Sequence, residues 1–357
     1  MGFMVESGFT RVIGLLAALS IAGLGSPATA QGLGTLKVAV TLPDLVPIVG
    51  AVGGDKVEIV GIMPAGADPH GFTLTADAVA GVESCDLIVY GNSGFLNFER
   101  ELAEAMGEVD AIDWPDYERH GAILKSFPGF ENNQHGFWLG FQNAKAIAAA
   151  LAEALMLKGV DASIVTGNLA AFVNEIDGME AMSRQLMQET GRERSVWVAM
   201  VPGVAYTIDN LGLGVAGFIY YSEGPGFASG SDLQSMENKL RSGECAGVVC
   251  PLSMRQSKAG ETAEQLSGDT GAPVCYVRFL DAQADDSYLA QAAYNAGAIA
   301  AVAAQGSAAR SSGGVTASGH AAWGIIVFAL LIALVMQNKR MYYTGGAMVS
   351  GRKQRKK

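Results

Sequence analysis

Histidine and cysteine are scarce in this chain. Among 357 residues there are four of each, so a site built on nitrogen or sulfur ligands has few positions to draw on. The cysteines are Cys85, Cys245, Cys250 and Cys275, and none pairs as C-x-x-C. That excludes a zinc ribbon and a dithiol redox motif. No cysteine precedes Cys85, which argues against a lipid anchor on an N-terminal cysteine. The signatures G-x-S-x-G, H-E-x-x-H and the P-loop are also missing. One G-x-G-x-x-G match, Gly212–Gly217, follows a predicted helix and enters a predicted strand. A dinucleotide site needs the reverse order. With so few catalytic side chains, the chain is not expected to be an enzyme.

Basic residues are also few, and they are unevenly placed. The net charge is −11, from 24 Lys and Arg against 35 Asp and Glu. Seven of the basic residues crowd into the last 19 positions: Lys339, Arg340, Arg352, Lys353, Arg355, Lys356 and Lys357. Setting these aside, with Arg11 and Glu6, leaves 16 basic and 34 acidic residues. Such an acidic body argues against nucleic acid as a partner.

The ends read as targeting segments. Arg11, the apolar run Val12–Gly25 and Ala28-Thr29-Ala30 make residues 1–30 a secretory signal. A second apolar run, Ala321–Met336, is followed by the basic cluster, the positive-inside pattern. The expectation is a transmembrane helix over 320–337, a large extracytoplasmic domain and a basic cytoplasmic tail over 338–357. Residues 306–319 read as a flexible tether. The four cysteines then lie outside the cytoplasm. A bridge between Cys250 and Cys275, one between Cys245 and Cys250, and buried free thiols all stay open.

Between these ends, strands and helices alternate with short Gly-rich turns. Strands are expected over Leu36–Thr41, Val57–Ile62 and Asp86–Tyr90, with helices over Leu45–Val52, Ala76–Val82 and Phe95–Met106. The alternation resumes from Ser195 to Ala304. The two regions are linked by an Ala-rich helix, Asn143–Leu157, and a long helix within Asp161–Glu189. The predicted fold is α/β: two parallel-sheet lobes, 34–141 and 193–305, joined through 142–192 by one long helix.

The most informative stretch is Gly61–Asp77, G-I-M-P-A-G-A-D-P-H-G-F-T-L-T-A-D. Pro64, Gly66 and Pro69 forbid regular structure there. His70 therefore sits on a stiff loop beyond a strand end, before a helix capped by Thr73 or Thr75. His120 lacks any motif and reads as a surface residue.

D-P-H-G-F-T-L-T resembles the D-P-H-x-[YF]-x-[PL]-[TS] segment of the zinc/manganese solute-binding proteins of metal ABC importers. The resemblance extends from Leu36 to Val302, through K-V-A-V-T, D-L-I-V-Y-G, W-L-x-x-x-N-A-K and Y-N-A-G-A-I-A. It implies a metal ligand at His70, a second at His135 and a third at Asp281. In H-G-F-W-L-G-F-Q-N-A-K, one extra residue separates His135 from Trp138, and the family's D-P is replaced by G-F. Asp77 comes one place earlier than the family's aspartate. The family's remaining ligand, a His or Glu, aligns with Val201, which cannot bind a metal. Met200 and Cys250 are alternative sulfur donors from the same lobe. The function implied is capture of zinc or manganese for the permease subunits of an ABC importer, with binding lost below about pH 6 as the histidines protonate. The alternative is a surface interaction or adhesion protein of the same fold with a degenerate metal site.

Overall fold

The computed structural model describes residues 35–311 apart from 108, 222–225 and 284–285. The expected signal, transmembrane run and basic tail lie outside the described residues. The first lobe is a parallel sheet in the order β2-β1-β3-β4. Its strands are β1 (Leu36–Val40), β2 (Val57–Gly61), β3 (Leu87–Val89) and β4 (Ala111–Ile112). Its helices are α1 (Val46–Gly53), α2 (Ala76–Glu83), α3 (Asn97–Met106) and α4 (Trp114–Arg119). Val38, Ala39, Val40, Ile88 and Val89 are fully buried. A sheet covered by helices on both faces calls for such apolar strands. Thr75 caps α2, its hydroxyl accepting from the Ala78 amide at 3.2 Å.

Two helices link the lobes. The first, α5 (Phe141–Leu157), is mostly Ala and Leu, strong helix formers. The second, α6 (Ala162–Thr190), runs 29 residues without proline and is capped by the Asp161 carboxylate on the Ser163 amide at 2.8 Å. At 1.5 Å per residue it is roughly 43 Å long. It packs against α1, α5 and the final helix.

The second lobe repeats the architecture in the order β10-β9-β5-β6. Its strands are β5 (Val196–Ala199), β6 (Gly214–Phe218), β9 (Cys245–Pro251) and β10 (Val274–Val277). A short antiparallel ribbon, β7 (Tyr220–Tyr221) with β8 (Gly226–Phe227), extends it. Its helices are α7 (Ala205–Asn210), α8 (Gly230–Ser242), α9 (Lys258–Thr270) and α10 (Tyr288–Ser311). Thus α10 continues beyond Gly306, into the stretch read from sequence as a tether. In both lobes the loops at the carboxyl ends of the strands carry the residues that matter, the usual place for a ligand in open parallel sheets.

All four cysteines are buried free thiols, so neither candidate bridge forms. His120 is partly exposed, with its Nε2 2.8 Å from a Glu153 carboxylate oxygen.

Candidate metal centre

The two lobes touch through loops at their strand ends, and between them lies a cavity. It encloses about 730 Å³ of empty space, counting its open mouth. Loops after β2 and β3 and the segment before α5 form one wall. Loops after β5, β9 and β10 form the other.

His70 and His135 stand on the first wall. Each is placed by the same local device. The Asp68 carboxylate accepts the His70 backbone N–H at 3.0 Å, and the Asn133 carbonyl oxygen accepts the His135 backbone N–H at 3.0 Å. These are Asx turns, in which a short polar side chain holds the amide two residues on. The imidazole rings lie 5.1 Å apart, centre to centre, tilted by 51°. Nitrogens at ~2.0–2.1 Å from one tetrahedral ion put two ring centres roughly 5 Å apart, so the pair is spaced for a shared metal.

Asn133 also fixes the His135 tautomer. Its Nδ2 donates to the Pro202 carbonyl at 2.9 Å, so its oxygen must face His135. That oxygen accepts from His135 Nδ1 at 3.2 Å, which leaves Nε2 with its lone pair. His135 is 9 % exposed, and Phe95 and Phe130 pack edge-on against it. Burial, with a smaller contribution from neighbouring His70, lowers its pKa to about 3. His135 is therefore neutral, as a ligand must be, across the physiological range.

The second wall is apolar. Val201, Pro202, Gly203, Met254, Phe279 and Leu280 face the cavity. Gly203 is required there, because a Cβ would come within 2.3 Å of the Phe279 ring. Gly136, at φ +66°, lies so close to Gly203 that a Cβ would meet its carbonyl oxygen at 2.2 Å. Val201 is 3 % exposed and occupies the position where the resemblance implied a ligand.

Asp281 does not line the cavity. Its carboxylate accepts from Arg278 Nε at 3.2 Å, and Arg278 also donates to Asp286 at 2.6 Å. Burial raises the Asp281 pKa, and Arg278 opposes the rise. Thus the structure brings His70 and His135 together and does not bring Asp281 to them. Among the described residues no three of His, Cys, Asp and Glu group closely enough to hold an ion. Neither Met200 nor Cys250 lines the cavity; both are fully buried. Burial pushes the Cys250 thiol up to about 12.

Three residues overlooked in the sequence shape the site. Asn133 has a legible signal, since N-Q-H repeats the two-residue offset of D-P-H. Asp44 is completely buried and ties the lobes together: it accepts from the Leu280 amide at 2.8 Å, the Ala282 amide at 3.3 Å and Trp138 Nε1 at 3.3 Å. The Leu280 carbonyl in turn accepts from the Gly66 amide at 2.7 Å, with Leu280 held at φ +55°. Desolvation raises the Asp44 pKa against these hydrogen bonds. Glu99, also fully buried, accepts from the Gly91 and Asn92 amides at 2.7 Å each and from the Thr41 hydroxyl. It binds the ends of β1 and β3 together beneath the first wall, and burial pushes its pKa up to about 7.

A family model described as zinc-uptake complex component A, periplasmic, matches residues 38–302. The metal ABC transporter substrate-binding lipoprotein FimA of Streptococcus parasanguinis is 24 % identical over 313 residues, 83 % of this chain and 97 % of its own. Among solved structures, the periplasmic zinc-binding protein TroA of Treponema pallidum superposes with a TM-score of 0.62 at 22 % identity, covering 76 % of this chain and all of that one. FpvC of Pseudomonas aeruginosa, solved with Mn²⁺, gives 0.63 at 17 % identity over 76 % of this chain and 99 % of its own. These likenesses establish the two-lobed parallel α/β fold.

The localisation expected from the sequence is corrected by the same comparison. The curated relative is a lipoprotein, which places its attachment in a lipid rather than in a single-pass span with a cytoplasmic tail. Among the described residues no helix is long and apolar enough to cross a membrane. The run Ala321–Met336, on which that expectation rested, is apolar by composition alone and lies outside the described residues.

Proposed function

The chain belongs to the family of the periplasmic zinc-uptake complex component A, and from that membership we propose that it is the substrate-binding component of a metal ABC importer, holding a divalent transition metal on His70 and His135. The ion is cargo, handed on to the importer's permease subunits, and no reaction is assigned to the chain. The observation that carries this reading is the imidazole pair: rings 5.1 Å apart at a lobe boundary, with Asn133 leaving the His135 Nε2 lone pair available.

The donor chemistry favours zinc over manganese. Imidazole suits zinc, nickel and copper, whereas manganese prefers carboxylate and water oxygens. Asp68 is the one carboxylate in the cavity lining, and its Oδ1 already accepts the His70 amide. In this reading Asp281 holds the turn after β10 through Arg278 rather than binding the ion. The alternative of an adhesion domain with a decayed site finds no support in the preserved histidine pair.

The test is equilibrium dialysis of the full chain against zinc at neutral pH, with metal analysis and a thermal melt. One zinc per chain and a raised melting temperature are expected, because a ligand that binds the native state stabilises it. His70→Ala and His135→Ala should each abolish both effects. Zinc retained at full stoichiometry by both variants would overturn the proposal.

A further inference from the structure

The Asx turn at His135 fixes that ring only relative to Asn133. What fixes Asn133 is a strap, residues 125–133, between α4 and α5. The neck of the strap is closed by the Asn133 amide, which donates to the Lys125 carbonyl at 2.9 Å. At its tip Phe127 and Phe130 exchange both backbone hydrogen bonds, at 2.9 and 2.8 Å. Pro128 and Gly129, the latter at φ +81°, make the tight turn between them. By sequence the strap goes with the first lobe, because it precedes α5. By contact it goes with the second. The Tyr206 hydroxyl, on α7, accepts from the Lys125 amide at 3.0 Å and donates to the Asn133 carbonyl at 2.6 Å. The Pro202 carbonyl accepts from Asn133 Nδ2 at 2.9 Å, and the Lys125 ammonium pairs with Asp209. Phe127 packs edge-on against Tyr206 with ring centres 5.4 Å apart, and Phe130 stacks on Tyr221 at 10°. Apart from itself, His135 and the second lobe, the strap has no hydrogen-bond partner among the described residues.

His70 is held differently, by the Asp68 turn in the loop after β2 of the first lobe. The two imidazoles thus hang on stretches of chain secured to different lobes, and their 5.1 Å spacing depends on both attachments. We infer that the second lobe, which on the metal-receptor reading gives the ion no ligand, nevertheless positions one: through the strap it sets His135 against His70, with Tyr206 as the positioning residue. The inference rests on that reading and adds a residue to its machinery. Tyr206 does not line the cavity and acts through Asn133. It is fully buried, and burial raises its pKa, so the phenol keeps the proton it donates. Without the hydroxyl, the Lys125 amide and the Asn133 carbonyl lose the group that joins the neck of the strap to α7.

The test is a double-mutant cycle on zinc affinity in the full chain, measured for wild type, Tyr206→Phe, Asn133→Ala and the pair together. Tyr206→Phe should weaken zinc binding by about tenfold, as losing an orienting partner does. Because Tyr206 acts through Asn133, the double variant should bind zinc no more weakly than Asn133→Ala alone. The visible spectrum of the cobalt(II)-loaded chain supplies a second readout, since its bands follow ligand geometry. Tyr206→Phe should shift them. Val248→Ala, a fully buried cut in the middle of β9, should lower the melting temperature while leaving affinity and spectrum unchanged. Wild-type affinity and spectrum in Tyr206→Phe, or losses that simply add in the double variant, would overturn this inference and leave the receptor reading standing. A wild-type chain that binds no zinc would overturn both.

Discussion

The two lobes share one architecture and meet at the same kind of strand ends, yet they present opposite chemistry to the cavity. The first lobe and the segment behind it offer two imidazoles, each held by an Asx turn. Beneath them a buried carboxylate, Glu99, ties β1 and β3 together. The second lobe offers Val201, Met254, Phe279 and Leu280, and the residues at its central strand ends, Met200 and Cys250, are fully buried and apolar. A shared fold thus fixes where a ligand sits without fixing what each wall contributes. On the proposed reading, recognition of the metal is concentrated on one side, and the other side shapes the space.

Predictions that bear on this contrast run from large effects to small. Asp44 belongs to the first lobe but satisfies two amides of the second, along with the Trp138 indole. Asp44→Ala orphans three buried donors and should cost about 3–5 kcal/mol in denaturant unfolding. A cost below about 1 kcal/mol would mean that the lobes are not held together there.

Glu99 should make stability depend on pH. Its ordinary pKa of 4.5 rises to about 7 in the fold, so between those values the folded state binds more protons than the unfolded chain. Stability from this group therefore falls as pH rises through that window. Between the two ends of the window, Glu99→Gln should gain on wild type by on the order of 3 kcal/mol, read from urea melts at each pH. His135 acts in the opposite sense. Its pKa falls from 6.5 to about 3, so the unfolded chain takes up a proton first and stability declines as pH drops below 6.5. A His135→Gln variant should lose that acid-side slope. The same shift revises the expectation that both histidines lose metal below pH 6, because His135 stays neutral well below that point.

Asn133 touches no metal in this account, but it sets the tautomer of a ligand. Asn133→Ala should weaken zinc binding by about 10–100-fold, the usual cost of losing such an orienting partner. Asn133→Asp, which keeps the acceptor, should recover most of it. Asp281→Asn is expected to change zinc affinity by less than about threefold, equivalent to about 0.7 kcal/mol. A larger loss would return the carboxylate to the metal and give the second lobe a ligand after all.

The alternation of apolar strands and helices made both lobes legible in the sequence, because buried parallel strands and capped helices are set by local pattern. His70 was legible too, since Pro64, Gly66 and Pro69 leave it nowhere but on a stiff loop. The partners of the site were less so. Asn133 and Asp44 act through contacts across 69 and 236 positions in the chain, and no local pattern encodes those distances. Asp281 was singled out by a local resemblance, whereas its contact with Arg278 is set by the turn after β10. Met254 follows β9 in P-L-S-M, and only the packing of the two walls shows that it faces the cavity.

The central claim is that the protein gives the metal two imidazoles and nothing more. X-ray absorption at the zinc edge of the loaded full chain tests it directly, because multiple scattering counts imidazoles. The account predicts two per zinc in the wild-type chain and no protein-held zinc in His70→Ala. One or none in the wild-type chain would contradict it.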